Sequence, residues 1–96
     1  MAQYTNPRGA ERFKVKLPVH LEDGTGITRD VSRTGVYFYT DRTISPGNWL
    51  DFLLEFQFAL PDEPVRLHCS GKVVRVEAAG KKNGVAVSLS NVRGTF

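Results

Sequence analysis

The chain has 96 residues, enough for one domain with one modest core, and its 41% hydrophobic content excludes wholesale disorder. A net charge of +3 favours an anionic partner, yet long duplex DNA or RNA calls for a denser basic stripe, so a small anion fits better. Cys69 is the single cysteine, which excludes an internal disulfide and a cysteine-rich metal site.

Residues 1–11 are polar, contain Pro7 and Gly9, lack the apolar core of a signal peptide, and read as a flexible arm. From Phe13 the pattern alternates strictly: Phe13, Val15, Leu17, Val19 and Leu21 form one face, which predicts a half-buried strand with Pro18 on its outward side. Asp23-Gly24-Thr25-Gly26 supplies a hairpin turn. A second strand runs from about Ile27 to Ser32, with Ile27 and Val31 inward and Thr28, Asp30 and Ser32 outward. That parity also turns Arg29 inward, which requires an open barrel end or a bulge.

Val36 to Thr40 alternates again and is rich in strand formers. After the turn at Ile44 to Asn48, Leu50, Phe52, Leu54, Phe56 and Phe58 line one face of a fourth strand, which Pro61-Asp62-Glu63-Pro64 closes. Asp51, Glu55 and Gln57 interrupt this most apolar stretch, so it does not span a membrane. The fifth strand, Val65 to Ala78, slips in parity between Val73 and Val74, and an extra residue near Gly71-Lys72 would explain it. Val85, Val87 and Leu89 make a last strand, and residues 91–96 show no pattern. Six strands without a helix imply an all-β fold, a six-stranded antiparallel barrel in a cytoplasmic protein.

Two stretches carry chemistry. Positions i and i+2 of a strand point the same way, so Asp30 and Ser32 stand side by side on the outer wall. A carboxylate accepts two hydrogen bonds, which suits the paired N–H donors of guanine's Watson–Crick edge, and a hydroxyl serves a base or a phosphate. Gly35 can bend sharply and approach a ligand without a Cβ in the way. Guanidinium pairs with phosphate oxygens and with the O6/N7 edge of guanine, and it stacks on bases. On a flexible arm, Arg8 and Arg12 can therefore fold around an anionic guanine nucleotide.

Each stretch alone has a plainer reading, a turn for the first and solvated charge for the second. Arg33, inside the turn, is the secondary candidate for the anionic pocket, ahead of Arg29 and Arg75. His20 and His68 have no partner at metal-ligand spacing, which argues against a metal site. Nothing suggests a nucleophile–base pair, so an enzyme is not expected. Tyr37, Tyr39 and Trp49 fall on outward parity and read as partly buried packing.

Together, R-x-x-x-R before the first strand and D-x-S-x-x-G at the end of the second resemble the PilZ domain family, bacterial receptors for cyclic di-GMP. The resemblance covers roughly residues 7–90, including Gly71-Lys72-Val73-Val74 and Asn83-Gly84-Val85, and departs at Thr34, where many members have Gly or another small residue. With it the chain divides into the arm read above (1–11), a PilZ-like barrel (12–90) and, where no pattern remains, an unstructured tail (91–96). The resemblance implies a non-enzymatic receptor whose arm closes over cyclic di-GMP and so creates a surface for a downstream protein partner. Arg8 and Arg12 would take the phosphates and guanine, Asp30 and Ser32 further contacts, and Gly35 would allow close approach. The rival is a barrel of the same shape that binds proteins through its outer aromatics and no nucleotide. A single-stranded nucleic-acid barrel is a weaker third reading, and no residue selects among motility, exopolysaccharide synthesis and virulence as the output.

Overall fold

The computed structural model describes residues 11–56 and 65–95. Arg8 and the rest of the expected arm through residue 10 lie outside the described residues, as do Phe58 and the turn Pro61-Asp62-Glu63-Pro64. Six strands are present: β1 (Pro18–Leu21), β2 (Gly24–Val31), β3 (Gly35–Thr40), β4 (Trp49–Phe56), β5 (Val65–Ala79) and β6 (Lys82–Thr95). All pair antiparallel, in the order β1-β2-β3-β6-β5-β4, and β1 returns to β4 through Val19–Leu54 and His20–Leu53 to close the barrel.

Alternation sends one face of every strand inward. Facing residues form rows across the wall, with Val36 opposite Val87 and Val87 opposite Val73, then Phe38 opposite Val85 and Val85 opposite Val76. Val19, Phe52, Leu54 and Cys69 complete the buried cluster, and the rings of Phe38 and Phe52 meet at 5.8 Å. Burial pushes the Cys69 thiol up to about 11, so it behaves as a small apolar filler.

Two bulges decide which side chains face out. In β2, Thr28 pairs with Phe38 and Asp30 with Tyr37, which leaves Arg29 as the extra residue. Before the bulge, Ile27 faces out opposite Tyr39 and is 45% exposed, while Thr28 is buried. After it, Asp30 joins the outer face and Val31 packs against the core. The inward Ile27 and outward Thr28 expected from regular alternation are thus reversed, while outward Asp30 stands.

In β5 the extra residue is Val74, not one near Gly71-Lys72. Gly71 instead permits close strand approach, since a Cβ there would come within 2.2 Å of the Ser88 carbonyl oxygen, beside a second shift between Ser70 and Gly71.

Three further expectations change. The first strand begins at Pro18 rather than Phe13, because Thr28 inserts its side chain beneath the preceding segment: its hydroxyl accepts from Leu17 N and donates to Val15 O. Phe13 keeps one bridge, to Val31. The first hairpin turns at Glu22-Asp23, since Leu21 already pairs with Gly24, and Arg42 clasps Asp23 at 2.7 Å. Residues 91–95 are not an unstructured tail but the end of β6, paired with Arg66 to Ser70. Asn91 to Gly94 are all exposed, so no burial alternation marks them; the neighbouring strand supplies the order.

Thr28→Val keeps the side-chain volume but strands Leu17 N and Val15 O. It should cost about 1–3 kcal/mol, the scale of an unsatisfied buried polar group, in denaturant unfolding. Unchanged stability would show that Thr28 does not fasten this segment.

Candidate ligand-binding site

The outer wall of β2 and β3 carries one compact ionic cluster. Asp30 projects outward after the bulge, and its side chain is only 6% exposed because two guanidinium groups cover it. Arg12 donates from Nε to Oδ1 at 2.7 Å, with Nη2 at 2.5 Å from the same oxygen. Arg29 donates from Nε to Oδ2 at 2.6 Å. Both arginine side chains remain about half exposed.

The backbone makes this possible. Phe13 N and O bond Val31 O and N at 2.8 and 3.0 Å, which sets Arg12 beside Asp30 across 18 residues of sequence. On the other side, the Arg29 guanidinium carbon lies 3.8 Å above the centre of the Tyr37 ring, a cation–π contact. Tyr37 is itself buried and donates to Glu77 Oε2 at 3.0 Å, and Arg75 Nε donates to Glu77 Oε1 at 3.0 Å.

Electrostatics follow from that arrangement. Burial opposes ionisation of Asp30, but hydrogen bonds and charge from Arg29 and Arg12 outweigh it and hold the carboxyl below its ordinary value. The bond to Asp30 raises Arg29 in turn. A carboxyl depressed on folding contributes stability that is complete above its unfolded value, about 3.9, and is lost as pH falls through the folded one. The Asp30 carboxyl is therefore ionised at neutral pH. Burial, then the Glu77 carboxylate, push the Tyr37 phenol upward, so it remains a donor there.

The remaining expected residues divide. Ser32 builds the β2–β3 turn: its Oγ accepts from Gly35 N at 3.0 Å and Thr34 N at 3.2 Å, while Ser32 N donates to Gly35 O at 2.8 Å. Gly35 does not use the left-handed backbone, since only Gly47 and Gly80 among the described residues have positive φ. Its lack of a side chain matters for approach instead, because a Cβ would lie 3.1 Å from Val87 O and 3.7 Å from Arg12 Nη1. Arg33 is exposed at the turn and makes no ion pair among the described residues. Arg29, ranked below it in sequence, is the arginine that joins Arg12 at Asp30. The slip that places it there shows in sequence only as its awkward inward parity.

Beside the cluster, a surface depression of about 900 Å³ runs over β1, β2 and β3, within the ~300–1,000 Å³ range of small-molecule sites. Pro18, Ile27 and Tyr39 are among its apolar lining, and its charged lining is Lys16, Arg29, Lys82 and the acid Asp41. No group of three potential metal ligands occurs among the described residues. No helix among them is long and apolar enough to cross a membrane.

Comparison with known proteins adds three findings. The sequence matches the model of the PilZ domain over residues 6–95. No curated protein matches it. Among solved structures the barrel is similar to the Bacillus subtilis inhibitor of motility MotI/DgrA, with a TM-score of 0.78 and 14% identity over 93% of this chain. The match spans 45% of that protein, so the chain corresponds to less than half of it, and at this identity the likeness speaks for the fold. With the family model matched from residue 6 to residue 95, and R-x-x-x-R and D-x-S-x-x-G both in place, the chain belongs to the PilZ domain family.

Proposed function

We propose that this PilZ domain is a non-enzymatic receptor for cyclic di-GMP, working as an adaptor. The observation that supports it most directly is the double contact of Arg12 with Asp30, at 2.7 and 2.5 Å. It joins the second arginine of R-x-x-x-R to the acid of D-x-S-x-x-G on the outer wall. Two guanidinium groups around one carboxylate leave a net positive charge, and the neighbouring depression adds Lys16 and Lys82 against Asp41. That field suits a ligand with two phosphates and two purines.

In this reading Arg12 and Arg8 take phosphate oxygens and the O6/N7 edge of guanine, and Asp30 accepts from guanine N–H groups. Ser32 holds the turn and offers its hydroxyl at the margin, and Gly35 leaves room for Arg12 above the wall. The N-terminal arm closes over the ligand, exchanging chain entropy for charge-assisted hydrogen bonds, and the newly ordered surface is what a downstream protein recognises.

Arg12→Ala should weaken cyclic di-GMP by about 1.5–3 kcal/mol, or roughly 10- to 150-fold in Kd, by titration calorimetry. Wild-type affinity in that variant would rule out the clamp. Asp30→Ala should weaken cyclic di-GMP more than its adenine counterpart, and equal losses for the two would undercut guanine recognition. A flat titration of the unaltered protein would favour instead a barrel that binds proteins and no nucleotide.

A further inference from the structure

Asp30 has a neighbour too many for a ligand contact. Arg12 occupies one carboxylate oxygen and Arg29 the other, and with 6% of the side chain exposed a purine edge reaches it only where one guanidinium gives way. The two arginines are not equally free to move. Among the described residues, the segment that carries Arg12 is tied to β2 by the Phe13–Val31 bridge beside it and by Thr28 further along, at Val15 and Leu17, whereas Arg12 itself precedes both ties.

Arg29 is anchored three times: its backbone is the bulge of β2, its Nε is bonded to Oδ2, and its guanidinium carbon lies 3.8 Å over the Tyr37 ring. The platform beneath it is fixed as well. Tyr37 is 2% exposed and bonded to Glu77, and it lies so close over Gly84 that a Cβ there would fall within 1.9 Å of its hydroxyl.

From this asymmetry we infer that Arg29 is the resident partner of Asp30, a positioning residue that keeps the carboxylate charged and aimed while Arg12 is released to the ligand's phosphates. The inference rests on the cyclic di-GMP reading and deepens it. Its physical basis is the penalty on an uncompensated buried charge: if Arg12 were the sole partner, its departure would leave Asp30 bare in a nearly dry setting. With Arg29 in place the carboxylate keeps a cation, one face opens for guanine, and Arg12 carries its full charge to phosphate. Among the described residues, the charged groups around Asp30 are Arg12 and Arg29, with Glu77 and Arg75 beyond the Tyr37 ring.

Two measurements test it. Cyclic di-GMP is titrated into the unaltered protein, Arg29→Gln, Arg29→Lys, Asp30→Asn and the Arg29→Gln/Asp30→Asn double variant. Arg29→Gln should weaken binding about tenfold or more, and Arg29→Lys should recover most of that loss by restoring the cation. In the Asp30→Asn background Arg29→Gln should change affinity by no more than about twofold, since the residue acts through the acid. The same loss in both backgrounds would make Arg29 a direct ligand contact, and no loss in either would make it a bystander; each result overturns the inference.

The second measurement needs no ligand: carbon-detected NMR titration of the Asp30 carboxyl in Arg12→Gln. It should stay below the ordinary value of about 3.9 on the strength of Arg29 alone, and a rise above that value overturns the inference. A flat titration of the unaltered protein would remove the nucleotide reading, whereas the carboxyl titration judges the Arg29–Asp30 pairing separately.

Discussion

A carboxylate taken almost wholly out of water stays ionised only if cations accompany it, and everything distinctive about this outer wall follows from how Asp30 meets that condition. The bulge in β2 points the acid outward, the Phe13–Val31 bridge brings Arg12 to one oxygen, and Tyr37 supports Arg29 at the other. None of these would suffice separately. A regular β2 would turn the acid elsewhere, and without the bridge Arg12 would be an ordinary exposed cation. The cluster is thus a tertiary construction, assembled from strands whose cores are otherwise those of a small hydrophobic barrel.

The division of labour between the two walls is clean. Inside, Val36, Phe38, Val85 and Val87 belong to a dry cluster with no ionised group among its members. Outside, the same strands present Tyr37, Ala86 and Arg75 in one row, because successive residues of a strand face opposite ways. Recognition can therefore change on the outer row without disturbing the inner one. Gly84 shows how tightly even the outer row is fitted, since Tyr37 rests where any side chain at that position would stand.

Much of this is legible in the amino-acid sequence. The barrel can be read because alternation over Val36–Thr40, Leu50–Phe56 and Val85–Leu89 leaves little choice of face, and the pairing of R-x-x-x-R with D-x-S-x-x-G points to Arg12 and Asp30. Less legible are features that depend on partners distant in sequence. The end of β6 has exposed side chains and so no hydrophobic rhythm, and the β1 segment gives way to Thr28, whose hydroxyl reaches it across the hairpin. Arg29 ranks below Arg33 in sequence because a one-residue bulge inverts the faces of a strand while leaving its letters unremarkable. The inward parity of Arg29 is the visible trace of that inversion.

The bulge has a corollary for how such barrels diverge. Because Arg29 is the surplus residue, ironing β2 flat at its present length would set Arg29 opposite Tyr37 and rotate Asp30 into the oily interior opposite Val36, whereas deleting Arg29 would restore plain pleating with Asp30 still outward opposite Tyr37. The D-x-S-x-x-G letters would survive such a deletion intact, and so would the outward aim of the acid, but the cation at its second oxygen would be gone. Among related barrels, then, the spacing between the first hairpin and this aspartate is as telling as the motif itself.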